Sequence, residues 1–204
     1  MKRLPLAVLC LSLLISALPV RAGAPAAPTP NVKGFFYVYA PKSRQEINHY
    51  IPSGWMGDVG DLRYEEAKIS AKPGDTCVKI SYSAKMSKGA GWTGIYWQNP
   101  NNNWGSRAGG FNLSKFKKLT FQARGEKGGE KISEFKVGGI TGEFGDTDSA
   151  VLGPIDLTKA WKTYTIDLAG KDLSRIIGGF CFSASRDDNP DGFVIFLNDV
   201  RFEP

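Results

Sequence analysis

The sequence predicts an all-β protein, an antiparallel β-sandwich. Apolar and polar residues alternate with a period of two along most of the chain, clearly so at 118–123 (KLTFQA) and 163–168 (TYTIDL), and the 3.6-residue period of amphipathic helices is nearly absent. Turn sequences rich in Gly, Pro, Asn and Asp separate the alternating runs, for example at 72–75, 125–129 and 187–192. Short strands with frequent turns are typical of a sandwich.

Nine strands are expected where the alternation is sustained between turn residues. They are 34–40, 62–69, 76–84, 92–98, 117–124, 131–138, 161–168, 177–185 and 193–203. Residues 48–61, between the first two, are rich in Gly and aromatic residues and are predicted to form a long functional loop.

The N terminus has the pattern of a secretory signal peptide. Two basic residues precede an apolar run over 4–20, and a small residue, Ala22, precedes the expected cleavage point. We therefore expect a signal peptide at 1–22, an Ala/Pro linker at 23–32 and a single β-sandwich domain at 33–204, in a secreted or periplasmic protein. An uncleaved anchor is the alternative, because about 17 apolar residues approach the length of a membrane span.

The charge balance gives no sign of a nucleic-acid partner. The formal net charge is +6, and loss of the signal peptide would lower it to +3. Lys and Arg are scattered through the predicted strands without an arginine-rich run. We expect no nucleic-acid binding, and no membrane span after signal cleavage.

Aromatic and amide residues are concentrated at 92–107, where three of the five tryptophans lie. Aromatic rings stack on the C–H faces of sugars, and amides pair with vicinal hydroxyls. On the strand 92–98, we expect one side to face outward and the other to face the core, where Ile95 and Trp97 would lie. The outward side would carry Trp92, Tyr96 and Gln98.

Two cysteines, Cys77 and Cys181, follow the expected cleavage point. Each is out of phase with the apolar residues of its strand, so each lies on the side of its strand opposite the core. These matching faces permit a cross-strand disulfide in an oxidising compartment. Two buried free thiols are the alternative.

Several segments together resemble jelly-roll carbohydrate-binding modules of the galactose-binding-domain-like superfold. They are GFNLS at 110–114 with KLTFQARG at 118–125, WKTYTIDL at 161–168 and VIFLNDVRF at 194–202. The resemblance covers essentially the whole of 32–204. It implies a jelly roll that binds polysaccharide or glycan, on either the concave sheet face or the loops at one rim.

The two possible sites use different residues. A concave-face site would combine Trp92 and Tyr96 with polar partners such as Gln122 or Arg124. A rim site would use aromatic and charged residues of the loops. The predicted binding residues are Trp92, Tyr96, Gln98, Asn102, Trp104, Arg107, Trp55, Arg186 and Asp188.

The resemblance also implies a structural calcium beside the last strand, at Asp199. Asp199 is in phase with the apolar residues before it, so its carboxylate needs a partner. Calcium would supply one with help from Asp75, and a lysine or a backbone N–H would serve equally well. Asn198 stands where the family has a second aspartate.

The chain offers little for catalysis. His49 is the only histidine, with no Ser or Cys nucleophile motif to serve, and Glu65 and Glu66 lie on opposite strand faces. We expect a non-catalytic binding protein. A protein–protein or cell-envelope assembly module on the same fold is the alternative, and an unrecognised hydrolase or lyase is a third. The sequence leaves the glycan and the oligomeric state open.

Overall fold

Two antiparallel sheets pack face to face in a computed structural model that describes residues 27–28, 34–70 and 74–204. The described residues form thirteen strands and two short 3₁₀ turns, Lys42–Ile47 and Val59–Asp61, and contain no α-helix. The strands are β1 Phe36–Tyr39, β2 Ile51–Gly57, β3 Leu62–Lys68, β4 Thr76–Tyr82, β5 Trp92–Gln98, β6 Lys118–Gly125, β7 Lys131–Ile132, β8 Glu134–Gly138, β9 Ser149–Leu152, β10 Ile155–Asp156, β11 Lys162–Asp167, β12 Gly178–Ser185 and β13 Phe193–Glu203.

Sheet I has the strand order β11-β6-β13-β4-β3, with β1 also paired to β13. Sheet II has the order β2-β5-β12-β8-β9, and β7 and β10 form a separate ribbon. The alternation of each strand is what permits this packing, since one side of every strand is apolar. The inner faces meet in one core, to which sheet I contributes Ile80, Phe121 and Leu197 and sheet II contributes Trp97 and Phe180.

The period-two pattern correctly located all nine predicted strands, although 131–138 is divided into β7 and β8. The prediction of a long loop at 48–61 was wrong, because Ile51–Gly57 is strand β2. Pro52 and glycines weaken its strand signal. The strand tolerates them because it lies at the edge of sheet II and carries a register shift between Pro52 and Gly54.

The predicted disulfide is absent, since Cys77 and Cys181 are both buried free thiols. Each does lie opposite the core, as the alternation indicated. Cys77, however, is on β4 of sheet I and Cys181 is on β12 of sheet II. Outer sides of two stacked sheets are separated by the whole core, about 10 Å between sheets plus the strands themselves. Burial raises the pKa of the Cys77 thiol to about 11, so it is a poor nucleophile.

The predicted signal peptide and nearly all of the linker lie outside the described residues. Within the described ranges, no helix has the length and hydropathy needed to cross a bilayer. Removal of residues 1–22 therefore stays a prediction.

Candidate functional site

Side chains of β5 point to the sides of the strand that the alternation predicts, but those on the outer side are less exposed than predicted. Ile95 and Trp97 point into the core and are buried. On the outer side, 40% of Trp92 is exposed, whereas Tyr96 is 6% exposed and Gln98 is fully buried. The expectation that Tyr96 and Gln98 face solvent was wrong, because the loop that follows β5 folds back over both.

The buried amides hold this covering loop rather than face a ligand. Gln98 donates from Nε2 to the carbonyl of Asn103 (3.0 Å) and accepts a bond from the Ser53 hydroxyl (2.9 Å). Asn103, also fully buried, donates from Nδ2 to the Arg107 carbonyl (2.8 Å) and accepts a bond from the Gly105 N–H (3.2 Å). Buried polar groups need such partners, and the side chains of Gln98 and Asn103 find theirs within the protein.

Trp104 lies on the outer surface of this loop, with 41% of its area exposed. Its ring meets Tyr96 edge to face, with the centroids 6.0 Å apart, and Nε1 donates to the Asn102 side chain (3.2 Å). Tyr96 is itself fixed by a hydrogen bond from its hydroxyl to the Gly138 carbonyl (3.0 Å). The indole is therefore held in one orientation with much of its surface open to solvent.

Trp92, at the other end of β5, is positioned by a buried carboxylate. Asp58 accepts backbone hydrogen bonds from Lys88 (2.8 Å), Ala90 (3.0 Å) and Gly91 (2.8 Å), and its own N–H donates to the Trp92 carbonyl (2.8 Å). Desolvation by burial acts to raise the pKa of Asp58, but these N–H donors outweigh it and hold the pKa below its ordinary value. The loop leading into Trp92 is thus built around one ionised side chain.

We expect Asp58→Asn to lower the melting temperature by several degrees at pH 7, because an amide cannot accept from three converging N–H groups without turning a donor toward one of them. A depressed folded-state pKa contributes stability above the unfolded pKa, about 3.9, that is lost as the pH falls through the folded pKa. The difference from wild type should therefore shrink below pH 4. Thermal melts across pH check this, with the exposed Asp187→Asn as the control. Equal melting temperatures of wild type and Asp58→Asn at pH 7 would contradict the role of Asp58 in holding this loop.

Polar side chains lie on the outer face of sheet II to one side of the two tryptophans. Register places Ser183 of β12 opposite Gly94 on β5 and Glu134 on β8, and Lys136 opposite Cys181. Lys136 Nζ lies 3.9 Å from Glu134 Oε1. Trp92 and Tyr96 are four residues apart on one strand, which corresponds to about 13 Å. The outer face of sheet II therefore presents an exposed indole at each end of β5, with hydroxyl, carboxylate and ammonium groups beside them on β12 and β8. We call it the aromatic face.

The remaining predicted binding residues do not join the aromatic face as a group. Trp55 is 40% exposed but pairs in register with Ile95, and its ring contacts Tyr64 of sheet I at the open edge of the sandwich. Arg186 donates to the Ala84 carbonyl, and Asp188 lines a cavity at the end of sheet I.

The loop residues Asn102 and Arg107 stay beside Trp104. Arg107 donates from Nη2 to the Asn101 carbonyl (2.6 Å), and the Asn102 N–H donates to Ser53 (2.8 Å). Both therefore support the loop that carries the indole.

The polar partners suggested for a concave-face site, Gln122 and Arg124, are on the wrong sheet. Both belong to β6 of sheet I, where the Arg124 guanidinium lies 3.8 Å from the Phe196 ring centroid and 5.4 Å from that of Trp161. Glu134, Lys136 and Ser183 take their place on sheet II. Which strands adjoin β5 depends on the strand order, and strand order is not readable from alternation.

Asp199 lies at a bulge in β13 with φ of +52°, beside two guanidinium groups. Arg201 is hydrogen-bonded to one carboxylate oxygen, and Arg44 Nη2 lies 3.9 Å from the other. Asp75 accepts a bond from Ser70 instead. In the described ranges, no group of three or more His, Cys, Asp or Glu side chains could hold a metal. Arginine therefore neutralises the charge of Asp199, whereas Asp199 Oδ1 and Asn198 Oδ1 are buried with no hydrogen-bond partner among the described residues. These are oxygen atoms of the kind that calcium binds.

Calcium at Asp199 and Asp75 therefore stays a prediction from the resemblance, and a thermal melt tests it. A stabilisation of about 2.7 kcal/mol at a hundred times the dissociation constant would appear as a rise of several degrees. We expect added calcium to give this rise and chelator to reverse it. Unchanged melting temperatures in both conditions would contradict the calcium site and leave Arg201 and Arg44 as the partners of the Asp199 carboxylate.

Comparison with known proteins supports the fold. No family model and no curated protein matches the chain in sequence. A family 30 carbohydrate-binding module superposes with a TM-score of 0.54 at 15% identity, over 82% of this chain and 97% of the module. The family 30 module of a cellulosomal cellulase of Clostridium thermocellum gives 0.51 at 15% identity, over 82% and 96%. An exo-beta-agarase gives 0.51 at 13% identity, over 76% of this chain and 24% of the enzyme.

At these identities the likeness shows the fold alone. The chain has the jelly-roll β-sandwich fold of carbohydrate-binding modules.

Proposed function

We propose that this protein binds a polysaccharide or other glycan on the aromatic face without cleaving it. The observation that carries the proposal is the pair of half-exposed indoles, Trp92 and Trp104, on one face of sheet II. Exposed aromatic side chains grouped on one face mark a candidate binding surface, and sugar C–H faces complement their rings. The carbohydrate-binding modules that share this fold bind the class of ligand that such a face suits.

The polar groups beside the indoles, on β12 and β8, support a glycan rather than an apolar ligand. Glu134, Lys136 and Ser183 offer acceptors and donors on the same surface, as a polyhydroxylated chain requires. Since the covering loop and β5 are already ordered, little conformational entropy is lost on binding.

The chemistry of the candidate groups supports binding without cleavage. His49 stacks on Phe36 (3.8 Å between centroids), and its Nδ1 is 3.1 Å from the Tyr37 carbonyl. Burial lowers the pKa of His49. Its contacts with Phe36 and Tyr37 give His49 a structural role beside strand β1. Glu134 is accompanied by Lys136 on the aromatic face, rather than by a second carboxylate in the pairing that glycosidases use.

Affinity gel electrophoresis across soluble polysaccharides, with pull-down on insoluble ones, tests the proposal. We expect retardation by at least one glycan and no increase in reducing ends on prolonged incubation. Failure to bind any glycan in a broad panel would contradict binding, and released reducing ends would contradict the non-catalytic role. Capture of a protein in place of a glycan would favour the envelope-assembly alternative.

Export belongs to the same proposal, supported by the sequence pattern of 1–22. N-terminal sequencing of the protein from an expressing cell should give Gly23 as the first residue. A retained Met1 on a membrane-bound protein would favour an uncleaved anchor instead.

A further inference from the structure

A second concave site lies at the end of sheet I, away from the aromatic face. It is a cavity of about 570 Å³, a volume typical of small-ligand pockets. Its floor includes Ser81 of β4 and Val194 of β13, which pair in register on the outer side of sheet I. Loops at this end of the sheet form the walls. No exposed aromatic ring lines the cavity, so it does not repeat the chemistry of the aromatic face.

Its charges are separated between the two sides. Arg63 at the start of β3 and Lys85 just beyond β4 come from one pair of adjacent strands. The acidic residues line the rest of the cavity. Glu126 belongs to the loop after β6, and Asp188 and Asp191 belong to the turn between β12 and β13. Lys127 accompanies Glu126, which leaves the acidic side with a net negative charge.

The exposed charges of the cavity have no ion-pair partner among the residues that the structure describes. Ion pairs in this part of the chain form elsewhere on the surface, at pairs such as Lys42–Glu66 and Lys118–Glu203. The two buried carboxylates of the cavity lining, by contrast, are satisfied: Asp61 accepts from the Ser87 N–H, and Glu130 from two backbone N–H groups.

We propose that this cavity binds a small zwitterion carrying a carboxylate and an ammonium group, the chemistry of a short peptide with free ends. The Arg63 guanidinium has the fork geometry that pairs with a carboxylate, with Lys85 adding positive charge. Asp188, Asp191 and Glu126 complement the ammonium group. The volume exceeds that of one amino acid and suits a di- or tripeptide. This proposal does not depend on glycan binding.

Isothermal titration calorimetry with trialanine, at low ionic strength and neutral pH, tests it. Trialanine should bind with one-to-one stoichiometry. N-acetyl-trialanine and trialanine amide, each lacking one terminal charge, should both bind about tenfold more weakly or not at all, and added salt should weaken binding. Absence of binding by trialanine at millimolar concentration would overturn the proposal, as would equal binding of the capped forms.

Charge variants locate the site. Arg63→Gln should weaken trialanine binding about tenfold, whereas Lys68→Gln, an equal loss of charge on the same strand outside the cavity, should not. Equal effects of the two variants would indicate general electrostatic attraction and overturn the assignment. Retardation of Arg63→Gln by a glycan should match wild type, so failure here is distinguishable from failure of the glycan proposal.

Discussion

Replacement of Trp97 by alanine is expected to lower the free energy of unfolding by about 3–5 kcal/mol, the usual cost of removing a large aromatic side chain from a core. Trp97 is 1% exposed, and its ring lies 5.5 Å from Phe180 and 6.2 Å from Tyr64, measured between centroids. The variant therefore loses packing within sheet II and a contact with Tyr64 at the edge of sheet I. Against a typical stability of 5–15 kcal/mol, this loss is a large fraction of the total, and the variant should unfold at a much lower urea concentration than wild type.

Urea denaturation measures this change. Trp104→Ala is the matched control, because it removes the same side chain from a solvent-exposed loop and should cost less than about 1 kcal/mol. The opposite ranking, with Trp104→Ala the more damaging, would contradict the placement of Trp97 in the core and of Trp104 at the surface.

The alternation along β5 was sufficient to separate Trp97 from Trp92, because side-chain direction in a strand is a local property. It could not show that Tyr96 and Gln98 are covered, since their burial depends on hydrogen bonds to Asn103 and on a loop outside the strand. Local pattern gives the face of a residue, and tertiary structure decides whether that face is open.

The failed disulfide prediction has the same origin. Cys77 and Cys181 were correctly placed opposite the core, but their strands belong to different sheets. Partner choice between strands depends on contacts distant in sequence.

Strand β2 was missed for a different reason. Pro52 and glycines obscure the alternation of this edge strand, which needs hydrogen bonds on one side only.

Simultaneous replacement of Trp92 and Trp104 by alanine is expected to abolish measurable glycan binding. Each indole should contribute about 1–3 kcal/mol, from the range for aromatic contacts at binding hot spots. Since every 1.4 kcal/mol is a factor of ten, the double variant should lose about 30-fold or more in affinity. The two side chains are exposed, so the fold should remain intact, and an unchanged far-UV circular dichroism spectrum and melting temperature should confirm this.

The most direct test compares the two outer faces of the sandwich. A glycan identified by gel retardation is titrated into wild type, Trp92→Ala, Trp104→Ala and Trp161→Ala, the last removing a tryptophan beside Arg124 on sheet I. Binding at the aromatic face predicts that both sheet II variants lose at least about fivefold in affinity, while Trp161→Ala binds as wild type does. Loss of affinity in Trp161→Ala, with full affinity retained by the other two, would contradict this and place the glycan on sheet I.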